Sequence, residues 1–222
     1  MLPVTLRDAV RLVHSMGFEW IWIDSLCIQQ DDFKDWSRES SRMAQVYGNA
    51  AFTICADSTR STDDGIFRAR NSLHSHPFGP NSAFCLQLLC EPWGSMPSHP
   101  LYWRGWAFQE RILSSRNLHF LSDQIAWDCN TTLYMEEFRG RQSRPDEHFA
   151  KNIFTKYYHQ KQMEAAKKPT DERLFARIGA WNSIVQEMAV RELTFESDKL
   201  PAVSGLASAL QTPDLGAYFA GV

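Results

Sequence analysis

The sequence predicts an α/β fold: a mostly parallel sheet with flanking helices over residues 1–135, then a mainly helical part over residues 136–222. Three observations predict it. Residues 20–23 (Trp-Ile-Trp-Ile) and 51–56 (Ala-Phe-Thr-Ile-Cys-Ala) are short apolar runs without alternation, as in strands covered on both faces. A helix-period segment precedes each run, so residues 5–56 read helix, strand, helix, strand, the order of a parallel sheet with crossovers. From residue 171 the apolar positions return at helical spacing only.

The elements follow in order. Thr5 can cap a first helix, with Asp8 as its capping-box partner; Leu6, Ala9, Val10 and Val13 share one face, and Gly17 is a stop. The run at 20–23 ends in Asp24, at the carboxyl end of its strand, where open α/β sheets bind ligands. Capping a turn is the alternative role for Asp24. Asp31 and Asp32 open a second helix to residue 49, with Trp36, Met43, Val46, Tyr47 and Ala50 as its stripe. Residues 57–82 read as a long loop, 84–90 as a strand and 91–100 as a loop. A helix follows at 103–113, then a hairpin of strands 118–121 and 124–129 about Ser122 and Asp123. Residues 137–172 show no clean period. In the next helix Leu174, Ile178, Trp181, Val185 and Met188 share a face; Asp198 can cap a last helix to residue 210, with Pro201 in its first turn.

The formal charge of −3 is spread along the chain, so no patch points to nucleic acid or to an anionic membrane. No apolar run reaches the roughly 18 residues of a membrane span. The five cysteines are an odd set, mostly inside apolar runs, which predicts reduced thiols in a cytoplasmic protein. Zinc is weighed at Cys85 and Cys90 with His74, His76 and His99. It is rejected because the cysteines share a strand and no C-x-x-C pair occurs, so no metal is expected. Cys27 has no nearby histidine to activate it.

Trp22-Ile-Asp24-Ser-Leu-Cys-Ile-Gln-Gln-Asp-Asp32, with Asp35-Trp36-Ser-Arg-Glu39 and Val46-Tyr47-Gly-Asn-Ala50, closely resembles the heterokaryon-incompatibility (HET) domain of filamentous fungi. Arg104-Gly-Trp106-Ala-Phe-Gln-Glu110-Arg-Ile-Leu113 resembles its second signature. The resemblance implies a role in fungal allorecognition and regulated cell death. It also implies a distant likeness to Toll/interleukin-1-receptor (TIR) domains, and so a flavodoxin-like core. Some TIR domains cleave NAD with a glutamate four residues after a tryptophan, the spacing of Trp106 and Glu110, which lie on one helical face. Family members carry an earlier strand of the type Leu-Ser-Tyr-x-Trp-Gly, and they continue past this tail. The expectation is therefore a chain lacking its first strand, unstable or self-associating and catalytically inert as it stands.

Glu110 is the candidate catalytic residue, because a carboxylate beside the ribose can stabilise an oxocarbenium-like transition state. Its bland alternative is an ion pair with Arg104, Arg111 or Arg116. Asp24, Trp22, Ser25, Trp106, Arg104 and Arg111 are the candidate substrate-binding residues; Glu39 is the second-choice carboxylate. For Trp22, Trp36 and Trp106 the alternative is core packing. No cofactor is expected, with NAD as a substrate instead. Expected partners are a second copy or an activating protein, with no nucleic acid and no membrane span. A signalling module that works by oligomerisation alone is the competing functional reading.

Overall fold

In the computed structural model the described residues are 2–68, 75–78, 84–87, 98–136, 141–142, 150–163 and 171–212. They form α1 (Val4–Ser15), α2 (Asp24–Cys27), α3 (Phe33–Asn49), β1 (Thr53–Cys55), β2 (Ser75–Phe78), β3 (Phe84–Gln87) and a 3-10 turn (Pro100–Trp103). Then come α4 (Gly105–Leu113), β4 (Arg116–Phe120), β5 (Ile125–Cys129), β6 (Leu133–Met135) and β7 (Arg141–Gln142). Helices α5 (Ala150–Met163) and α6 (Asp171–Ala189), a 3-10 turn (Glu196–Asp198) and α7 (Pro201–Leu210) complete the set. The fold is mixed α/β with more helix than strand. Among the described residues no helix is long and apolar enough to cross a membrane.

The sheet differs from the expected parallel, flavodoxin-like one. Its order is β1-β4-β5-β6-β7, and it is mixed, with β5–β6 and β6–β7 antiparallel. The reason is connection length. The Leu121 N–H donates to the Gln124 carbonyl at 3.0 Å, and Cys129 and Thr132 exchange backbone bonds at 3.0 and 3.3 Å. Turns this short join antiparallel neighbours, whereas parallel strands need a crossover of about a dozen residues. The predicted hairpin at 118–129 thus forms as β4 and β5. A separate antiparallel pair, β2–β3, places one strand inside the expected 57–82 loop.

Residues 20–23 form no strand. Trp20 is 88% exposed, and Ile21, Trp22 and Ile23 are half-buried. Ile23 is extended (φ −136°, ψ 121°), as β-branched residues favour. Extended backbone becomes a strand only with a ladder partner, and the described strands pair elsewhere. The expected near-complete burial of Ile21, Ile23, Phe52 and Ile54 fails for the same region: all four are half-buried, and Cys55 is the buried residue of β1.

The chain folds into two compact units that interleave in sequence. One comprises Met1–Ile21, Ile54–Tyr102 and Leu118–Ser143; the other comprises Trp22–Thr53, Trp103–Asn117 and Arg144–Val222. In the first unit α1 buries Ala9 and Val13 and stops at Gly17, whose φ of +81° suits glycine. Thr5 is not its cap. The N-cap is Pro3, and Thr5 Oγ1 accepts the Gly65 N–H at 3.1 Å while the buried Asp8 accepts the Ile66 N–H at 3.2 Å. Both side chains therefore tie the 61–66 loop to the helix. Leu121, Ala126, Leu133 and Met135 form this unit's sheet core.

The second unit is helical around Phe108, Ile112, Ile184, Met188, Ala202 and Leu206. In α6 the buried face runs through Ala180, Ile184 and Met188; Ile178 and Val185, assigned to the stripe from sequence, are exposed. Helix α5 lies in the stretch that showed no period. Phe154, Tyr157 and Tyr158 are its apolar face, spaced three and four residues apart. The glycine of the Arg-Gly-Trp signature has a packing reason: a Cβ on Gly105 would meet Leu193 Cδ2 at 2.5 Å and Met188 Cε at 3.0 Å.

Candidate active site

Three helices of the second unit converge on Glu110. It lies on α4, one turn beyond Trp106. Helix α4 is entered from the extended Arg104 and is fixed to α7 by Gln109, whose Oε1 accepts the Gly205 N–H at 3.1 Å. Helix α3 begins at Asp32, whose side chain accepts the Lys34 and Asp35 N–H groups at 2.8 and 3.4 Å. It carries Tyr47 about four turns later. Helix α2 is a single turn opening with Asp24.

Glu110 is half-buried by accessible surface, yet its carboxyl is packed closely enough to be desolvated. Burial pushes its pKa up to about 7 from 4.5. The hydrogen bond from the Tyr47 hydroxyl works downward, the Asp24 charge upward and the Arg104 charge downward. Glu110, Tyr47, Asp24 and Arg104 therefore form one electrostatic group. Trp22 joins it through Tyr47, with ring centroids 5.6 Å apart and planes at 79°.

The other candidates fall around this group. Asp24 is exposed; its Oδ1 accepts the adjacent Ser25 N–H at 2.7 Å without capping α2, whose N-cap is Ile23, and its charge acts on Glu110. Ser25 and Arg104 are exposed as well. Trp106 is half-buried; its indole N–H donates to the buried Asp198 at 3.1 Å, and its ring meets Trp36 edge-on at 6.3 Å. Asp198 is thus the acceptor of Trp106 rather than a side-chain cap for α7. Of the three arginines weighed as partners of Glu110, Arg104 acts on its charge. Arg116 donates to the Ala51 carbonyl at 3.2 Å, and the Arg111 carbonyl accepts Asn117 Nδ2 at 3.1 Å. Glu39, with 12% of its side chain exposed, is bonded by Arg38 at 3.0 Å and Arg42 at 3.3 Å. A groove of about 360 Å³ between α5 and α6, lined by Lys156, Tyr157 and Ser183 among others, shares no residue with the Glu110 group.

Sequence reasoning missed Tyr47 as a site residue. It lies in the quoted Val46-Tyr47-Gly motif, but its ring also fits the apolar stripe of α3, which absorbed it. Of the five residues weighed as zinc ligands, His99 alone has a described side chain. His99 is buried, and its Nε2 accepts the Ser122 N–H at 3.2 Å. The side chains of His74, His76, Cys85 and Cys90 lie outside the described residues. Instead Cys55, Asp57 and His119, in the first unit, bring three metal-ligating side chains within 4.8 Å of one another. The signal was Cys55-x-Asp57 at the end of an apolar strand.

Neither a curated protein nor a solved structure matches the chain significantly. Residues 1–110 match the family model described as heterokaryon incompatibility protein (HET), a span that runs from α1 to Glu110 itself. The match supports a heterokaryon-incompatibility domain protein.

Proposed function

We propose that the chain acts in fungal heterokaryon incompatibility and regulated cell death by hydrolysing the nicotinamide–ribose bond of NAD, with Glu110 as the catalytic carboxylate. The observation that carries this reading is the packing of Glu110 beside Tyr47, Asp24 and Arg104, where burial pushes its pKa up to about 7. Perturbed carboxyls packed beside charged partners concentrate at functional sites. When the bond breaks, its electron pair leaves with nicotinamide and positive charge develops on the ribose. Ionised Glu110 stabilises that charge, and water then adds to the ribose, losing a proton to give ADP-ribose. Arg104, exposed beside the carboxylate, suits the pyrophosphate. Asp24 suits a ribose hydroxyl, and Trp22 and Trp106 offer flat faces to the rings of the dinucleotide. NAD is substrate in this scheme, not a resident cofactor. The test is release of nicotinamide from NAD by the full chain and by Glu110→Gln. Release that vanishes in the variant is expected; equal release by both removes Glu110 from the chemistry.

A second reading is a signalling module that kills by self-association or by recruiting a protein partner. Phe33 favours it, being 78% exposed while its ring stacks on Trp36 at 5.9 Å. Killing by Glu110→Gln that is lost in Phe33→Ser, with oligomers lost alongside, is the outcome that selects it.

A further inference from the structure

We propose that Cys55, Asp57 and His119 form a buried binding site for a divalent metal ion of the zinc class. Their donor atoms all lie within 4.8 Å of one another. Each residue is more than nine-tenths buried: Cys55 is 4% exposed, Asp57 2% and His119 2%. Topology brings them together. Cys55 ends β1, Asp57 follows two residues later, and His119 sits on β4, the neighbour of β1 in the sheet.

Sulfur, carboxylate oxygen and imidazole nitrogen is a donor set that suits zinc, and three protein ligands leave one tetrahedral position for a water. Charge balance points the same way. A thiolate and a carboxylate carry two negative charges, a neutral imidazole adds none, and a divalent cation brings the buried site to zero. His119 Nδ1 and Asp57 Oδ2 lie 2.9 Å apart, in hydrogen-bond contact. Ligands about 2.0–2.2 Å from a tetrahedral ion stand about 3.3 Å apart, so binding opens this contact by a few tenths of an ångström. Held by the end of β1 and by β4, the ion ties these two strands, apart from the proposed chemistry at Glu110, and the site stands or falls without that chemistry.

The test uses the full chain, stripped of metal by chelator and titrated anaerobically with cobalt(II) as a spectroscopic stand-in. Saturation at one equivalent is expected, with a thiolate-to-cobalt charge-transfer band and tetrahedral d–d bands, all displaced by zinc. Cys55→Ser loses the charge-transfer band. Asp57→Asn weakens cobalt binding by at least about tenfold, the scale of metal-site substitutions. Cys27→Ser, at an exposed cysteine in the other unit, keeps the spectrum. The unsubstituted chain decides the matter even if variants fold poorly, since zinc must raise its melting temperature. Sub-stoichiometric cobalt without a charge-transfer band, or a band that persists in Cys55→Ser, overturns the site.

Discussion

Replacing Glu110 by Gln should make the protein more stable at alkaline pH while abolishing NAD cleavage. The folded carboxyl titrates near 7 because burial outweighs the Tyr47 and Arg104 contributions, against 4.5 in the unfolded chain. Between those values the folded state binds more protons than the unfolded one, so this group's contribution to stability is full below about pH 4.5. It is lost as pH rises through about 7. Integrated from pH 5 to 8, the loss is about 2–3 kcal/mol, or roughly 5–10 °C in melting temperature for a chain of this size. Glutamine keeps an acceptor for the Tyr47 hydroxyl but has no charge to bury. Thermal melts of both proteins across pH 5–8 give the difference curve, in which other titrating groups cancel. The variant should gain on the parent steadily as pH rises. Parallel curves would mean that Glu110 ionises normally and that the packed group around it does not perturb it.

The neighbours of Glu110 should move its titration in opposite directions. Tyr47→Phe removes a hydrogen bond to the ionised form and should shift the stability midpoint to higher pH, whereas Asp24→Asn removes a like charge and should shift it lower. Trp106→Phe takes the indole N–H away from the buried Asp198 carboxylate and should cost about 1–3 kcal/mol in denaturant melts. Ile184→Ala, at a fully buried position of the helical core, should cost about 2–5 kcal/mol by the same measurement. Asp32→Ala should cost about 0.5–2 kcal/mol through the start of α3.

Local chemistry was legible where one residue sufficed to decide it. Asp32 caps α3, Gly17 stops α1, Pro201 opens α7, and the hairpin about Ser122 and Asp123 forms as read. Asp24 and Glu110, singled out from the two signatures, stand close enough for the Asp24 charge to act on Glu110. What failed depended on partners distant in sequence. Trp20 and the isoleucines after it carry strand propensity, but propensity does not supply a ladder. The mixed sheet follows from turns whose shortness is visible, though which strand lies beside β1 is not. In α6 two apolar sets, Ile178 with Val185 and Ala180 with Ile184, compete for the core. The packing against α5 and α7 decides between them. Tyr47 and Asp198 were hidden because each already had an ordinary local use.

The interleaving of the two units also bears on when the protein can become active during synthesis. Neither unit is a continuous piece of chain: each is assembled from three segments. The helix bearing Glu110 is clamped by Gly205 of α7, almost a hundred residues downstream. Contacts at such separations close late, because loop entropy must be met before they form. A nascent chain that has already emitted both signature motifs from the ribosome therefore still lacks the support of the Glu110 helix until residues 201–210 emerge. Under the proposed chemistry at Glu110, that order delays NAD cleavage until residues 201–210 have emerged, and it leaves products that terminate before them inactive.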